Sequence, residues 1–219
     1  MRIRRIILST MALIASLTLF AQEQFTPRFM AGITGGVNLS NMIFQPKVEQ
    51  GLKVGYDGGV ILRYDVVPYA GIWLEVDFSS RGWREKPLDH PDLKYIRTLN
   101  FINIPVMTHF MIGNGPLKVT IDAGSHFGYL LSEQSESTFP NERPSGVVVQ
   151  QHKMPVENKF AWGIGGGLGG EYHFKNYVAG ARISYVYGLG EIYGNARKDY
   201  FGKSSEQVAS AKVYFLFKF

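Results

Sequence analysis

Residues 159–192, KFAWGIGGGLGGEYHFKNYVAGARISYVYGLGEI, alternate with period two along both arms of one hairpin. On the first arm Phe160, Trp162, Ile164, Leu168, Tyr172 and Phe174 are apolar or aromatic, and Ala161, glycines, Glu171 and His173 stand between them. After Lys175 and Asn176 the apolar set resumes on Tyr177, Ala179, Ala181, Ile183, Tyr185, Tyr187 and Leu189, against Val178, Gly180, Arg182, Ser184 and Gly188. One face is greasy and the other small or polar, which is the period of a strand and not of a helix. Each arm runs about fourteen residues, beyond the usual five or six of a globular strand, and its aromatics cluster near the ends. That pattern predicts strands with lipid on one side and a barrel interior on the other.

The same alternation recurs outside the hairpin. It is carried by Phe29–Leu39, by Gly55–Asp65, by Tyr69–Arg81 and by Thr98–Ile112; Leu117–Leu131 and Gln207–Phe219 complete the set. With the two arms this makes eight strands. Their connections alternate between long polar loops (near 40–54, 82–96, 132–158 and 190–206) and tight turns (near 66–68, 113–116 and 175–176). A soluble sandwich has no reason to keep that parity, whereas an outer-membrane barrel has short periplasmic turns and long external loops. The expected fold is therefore all-β: an eight-stranded antiparallel up-and-down transmembrane β-barrel with both termini on the periplasmic side. Pro105 removes a ladder donor in mid-strand, which predicts a bulge or bend there.

The start of the chain reads as an export signal. Arg2, Arg4 and Arg5 precede an apolar run, and small Ala21 precedes the polar Gln22; residues 1–21 are expected to be removed and 22–219 to form one barrel domain. The net charge of +5 includes those three arginines, so 20 basic residues against 18 acidic leave +2 in the remainder, which gives no footprint for nucleic acid. Zero cysteines exclude disulfides, thiol nucleophiles and thiolate metal sites. No later segment has eighteen consecutive apolar residues, so any membrane crossing must be made by strands.

Several stretches imitate chemistry. Residues 165–170, GGGLGG, satisfy a dinucleotide fingerprint, but alternation continues after them where a helix would have to begin. His109, His126 and His173 face inward from different strands without metal-ligand spacing. Ser125 adjoins His126, yet neighbours in a strand point to opposite faces and cannot pair. No catalytic, cofactor-binding or metal residues are expected, and no enzymatic activity. What the inward face carries is charge of both signs: Arg63, Glu75, Asp77, Asp122, Glu171, Arg182 and Lys212 are expected to form an interior network, with Arg182 meeting Glu171. A barrel of eight strands is only wide enough for its own side chains, so this interior is a filled core and not a pore.

At the C-terminus Phe215, Phe217 and Phe219 share the outward face with Val213, and an aromatic residue ends the chain. This resembles the assembly signal read by the outer-membrane barrel insertion machinery. The wider layout resembles the PorT-like family of outer-membrane β-barrels, through residues 32–38 (GITGGVN), 74–82 (LEVDFSSRG), 99–106 (LNFINIPV) and the 163–190 hairpin. The resemblance implies the outer membrane of a Gram-negative bacterium, contact with outer-membrane lipid and envelope or secretion proteins, and a role as a binding or accessory component, in some members of type IX secretion or gliding. It carries over no catalytic residue. A small-solute channel is the second reading and a membrane-embedded hydrolase the third; the interior charges disfavour the one, and the absence of a same-face Ser, His and acid the other.

Overall fold

The computed structural model describes residues 25–219 except 88, 89, 91, 140–145 and 197–198; the expected export signal lies outside the described residues. In chain order the strands are β1 (Arg28–Gln45), β2 (Gln50–Gly51), β3 (Lys53–Val67), β4 (Ala70–Glu85), β5 (Tyr95–Ile112), β6 (Leu117–Ser137), β7 (Phe160–His173), β8 (Tyr177–Glu191) and β9 (Lys203–Lys218). Every pairing is antiparallel, and β4 with β5 and β1 with β9 close the sheet on itself. The short β2 pairs only with β4 and continues the line of β3, so the ring has eight staves.

Register fixes the tilt. From Ala31 the paired residues around the ring are Leu62, Leu74, Val106, Ser125, Ile164, Tyr187, Gln207 and then Asn41, ten residues further along β1 than the start. A ring can close with such a stagger only if its strands lean away from the barrel axis. The predicted two-residue turn is present: the Phe174 N–H donates to the Tyr177 carbonyl at 2.9 Å, and Arg182 pairs opposite Gly169. Gly113 opens the β5–β6 turn with φ +141°, where a side chain would be strained. The three turns gather at one rim with the start of β1 and the end of β9, where the Phe219 N–H donates to the Phe29 carbonyl at 3.0 Å.

Outward residues are apolar and exposed, as Ile33, Val60, Ile104, Ile121, Ile164, Ile183 and Val213 illustrate around the ring. Of the bulge or bend expected at Pro105, the bulge is absent. Pairing of β4 with β5 lapses between Leu74↔Val106 and Asp77↔Asn103 but resumes in the same register, because a missing donor costs one bond without requiring an extra residue. The register shift of β5 lies instead on its other side, in the pairing with β6, between Asn100 and Phe101 and opposite Leu131.

The strands also run further on the loop side than the alternation predicts. β1 continues to Gln45, β4 to Glu85 and β6 to Ser137, while β5 begins at Tyr95 and β9 at Lys203. Outward positions there turn polar, at Asn41, Asn100, Ser132 and Gln207, and inward positions turn apolar, at Met42, Phe44, Trp83, Leu99, Phe101 and Leu130. The period of two persists with its polarity reversed.

Candidate functional site

Two layers fill the barrel. On the turn side and at mid-height is an ionic layer held by alternate residues of seven strands, β3 to β9. Arg63, fully buried on β3, donates from Nε to Asp65 Oδ1 at 2.6 Å and from Nη1 to Glu171 Oε2 at 2.7 Å. Glu171 also accepts from the Tyr214 hydroxyl at 3.1 Å and lies 2.6 Å from His173 Nε2. His109 bridges onward: its Nδ1 is 2.6 Å from Asp122 Oδ1 and its Nε2 3.5 Å from Glu171 Oε2. Asp122 Oδ2 stands 3.5 Å from Arg182 Nη1, and Arg182 Nη2 donates to Glu75 Oε2 at 2.8 Å while its guanidinium lies 4.8 Å over the Trp73 ring. Lys212 donates to Glu75 Oε1 at 2.6 Å and also bonds Asp77. The seven charged residues singled out in the sequence thus lie in one connected chain of contacts.

The expected Arg182–Glu171 pair is not made. Arg182 reaches across the lumen to Glu75, and Arg63 takes Glu171. The reason is Tyr214. Its ring covers Gly180, where a Cβ would stand 2.4 Å from the ring, and its hydroxyl occupies the approach to Glu171. Lys218 bonds the Phe174 carbonyl at the turn rim, outside this layer. The inward glycines of β7 leave room as expected of a crowded interior: a Cβ on Gly165 would meet His126 Nε2 at 2.9 Å, and one on Gly169 would meet Thr120 Oγ1 at 2.7 Å. Beside His126, Arg81 and Glu206 the free space measures about 10 Å³, the lower limit for a single water molecule.

Above the pair of Arg81 with Glu206, 2.8 Å apart, the second layer is aromatic. Phe44 packs edge-on to Trp83 at 5.3 Å and against Phe201 at 5.0 Å, and Tyr193 stacks on Phe201 at 5.6 Å. Leu99, Phe101 and Leu130 line the wall, and Val148, Met154 and Val156 come down from the β6–β7 connection. Burial pushes the Tyr193 phenol above its ordinary value, so it stays a neutral donor, to the Gln151 carbonyl at 3.4 Å. This layer corrects the reading of 132–158 as a solvated loop: its first residues are strand, Glu133 pairs with Arg97 at 2.7 Å, and 148–156 fill the mouth. Glu142 and Arg143 lie outside the described residues. The interior partners Glu85, Arg97 and Glu206 were missed because Glu85 and Glu206 fall in predicted loops and Arg97 falls between a loop and the next strand, although Arg81, Trp83 and Glu85 continue the inward spacing of β4 without a break.

At the turn rim Phe215, Phe217 and Phe219 point outward. Phe217 is 54 % and Phe219 80 % exposed, Tyr177 stacks on Phe215 at 4.9 Å, and Phe174 on Tyr177 at 4.2 Å. Ser125 and His126 face opposite sides of the wall, and among the described residues no group of three or more His, Cys, Asp or Glu could hold a metal ion.

A closed antiparallel ring of eight staves, apolar outside, charged within and turned at one rim, is the architecture of a small outer-membrane barrel. The chain belongs to the outer membrane protein beta-barrel domain family, whose model matches residues 20–194. No curated protein matches it significantly. Among solved structures it is similar to Neisserial surface protein A (11% identity over 89% of this chain and 100% of that one, TM-score 0.46). A major outer membrane protein from Thermus thermophilus gives 13% identity over 89% and 100%, TM-score 0.47, and the Escherichia coli outer membrane protease OmpT 9% over 90% and 99%, TM-score 0.40. None of the three superposes closely, and none bears on what this chain does.

Proposed function

We propose that this outer-membrane barrel is a non-enzymatic, non-conducting component that acts through its external face or periplasmic rim, as a binding or secretion-accessory protein of the PorT-like kind. Envelope or secretion proteins are its partners in this reading, and the barrel insertion machinery reads Phe215, Phe217 and Phe219 after the leader is cleaved. The observation that supports it is the filled lumen: a continuous chain of contacts from Arg63 to Asp77 occupies the width of the barrel, and an aromatic layer lies over it. An ion entering would have to break charge pairs in a confined interior, each costing about 3–5 kcal/mol when one partner is lost.

Purified protein in planar bilayers should therefore show no stable conducting state. Reproducible single-channel steps, with selectivity altered by changes at Glu75, Arg182 or Lys212, would overturn the proposal and establish a small-solute channel.

A further inference from the structure

Glu85 and Arg97 are charges placed in the aromatic mouth, 1 % and 5 % exposed. Each is held in part by the wall and in part by the β6–β7 connection. Glu85 accepts from Trp83 Nε1 at 2.8 Å on its own strand, and from Gln151 Nε2 at 3.0 Å; His152 Nε2 lies 2.7 Å from its other oxygen. Arg97 donates to Tyr95 at 3.1 Å and Glu133 at 2.7 Å on the wall, and to the carbonyls of Gln151 at 3.3 Å and Met154 at 2.9 Å. The connection presents these groups from one 3-10 turn, Gln150–His152, and from Met154 two residues beyond it, with the His152 ring stacked 3.8 Å from Tyr95.

The same two charges would be hydrated by water if the connection were absent, because the mouth stands above the lipid-facing belt. Closing the connection takes both out of water, and the connection then has to supply the bonds that hydration provided. The apolar side chains Val148, Met154 and Val156 favour closure, and the hydration of Glu85 and Arg97 favours opening. Opposed terms of this kind are what an element with two arrangements requires.

We infer that residues 147–156 are a reversible lid latched by Glu85 and Arg97, whose departure uncovers an apolar bowl formed by Phe44, Trp83, Leu99, Phe101 and Leu130. The ionic layer beneath stays in place when the lid lifts, so the barrel remains non-conducting in both arrangements. The lid and the non-conducting reading therefore fail separately.

The chain has no cysteine, so one introduced thiol reports without background. Leu99→Cys places it in the bowl, and Thr120→Cys places it in the ionic layer; both positions are fully buried. Full-length protein in bilayers would be treated from the water side with a charged maleimide. Glu85→Gln or Arg97→Met should raise labelling at position 99 at least tenfold and leave position 120 protected. Where a wall variant does not fold, His152→Phe keeps the stacking on Tyr95, removes the bond to Glu85, and should act in the same direction. Unchanged labelling at position 99 in every folded latch variant would overturn the lid, as would equal acceleration at 99 and 120, which would mean that the whole barrel had loosened.

Discussion

A double-mutant cycle on Arg182 and Glu75 tests how the ionic layer is wired. Their ion pair is 2.8 Å long, with both side chains almost wholly out of water. At an effective dielectric of about 20 that separation is worth about 6 kcal/mol of Coulomb energy, and most of it is offset by the cost of removing two charges from water. Glu75 retains Lys212 at 2.6 Å when Arg182 is lost, whereas Arg182 retains the 3.5 Å approach to Asp122 and the Trp73 ring, but no close carboxylate, when Glu75 is lost. Glu75→Gln should consequently be the costlier single change, destabilising by about 3–5 kcal/mol, with Arg182→Met milder. The coupling energy between them should be about 2 kcal/mol, the size of one charged hydrogen bond. Urea unfolding in lipid, followed by the gel-mobility shift of heat-modifiable barrels and by fluorescence of Trp73 under the Arg182 guanidinium, gives all four corners. The comparison cycle, Arg182→Met with Glu171→Gln, should show a coupling smaller by at least about 1 kcal/mol, since those residues are linked through intermediaries, Asp122 with His109 and Trp73 with Tyr214, and not by an ion pair. Equal couplings, or a larger one to Glu171, would refute the wiring.

Two further outcomes are expected. Changing Phe217 and Phe219 to Asp should block outer-membrane insertion, because both face lipid at the rim where the chain closes; recovery of heat-modifiable protein from the outer membrane in normal yield would remove their role in assembly. Gly180→Ala should destabilise by about 1–3 kcal/mol, because its Cβ would stand 2.4 Å from the Tyr214 ring that reaches Glu171, whereas Gly170→Ala, with its nearest contact at 3.7 Å, should be close to neutral in the same unfolding assay.

Much of the barrel was legible because lipid imposes a rule on one face. The 159–192 hairpin shows this: its alternation and the Lys175–Asn176 turn set a register in which Arg182 stands opposite Gly169, as the structure has it. The partner of Arg182 was not legible. Register places neighbours within a sheet, but a long arginine in a narrow ring meets the opposite wall, and no spacing along the chain records the distance from β8 to Glu75 on β4. Strand ends were misread for a different reason. Above Asn41, Asn100, Ser132 and Gln207 the outside of the wall meets water, so the greasy face must turn inward, and a search for outward grease stops there although the ladder continues through Met42↔Glu206 and Trp83↔Arg97.

That reversal divides one set of strands between two solvents. In the lipid-facing part the apolar face has nothing to gain by leaving its surroundings, and charge pairs such as Arg63 with Glu171 are sheltered from water by the wall itself. In the loop-side part the order is that of a soluble domain, with Phe44, Trp83, Tyr193 and Phe201 gathered away from water and held by the hydrophobic effect. Denaturants weaken the second kind of cohesion directly. The mouth is also closed by a connection bound through a few side chains and carbonyls, while every stave of the ionic layer is held by ladders on both sides. Local opening follows the lowest-stability unit of a structure, so the mouth should loosen at denaturant concentrations that leave the Glu75, Arg182 and Lys212 contacts intact, with Trp83 becoming accessible to a water-soluble quencher before Trp73 does.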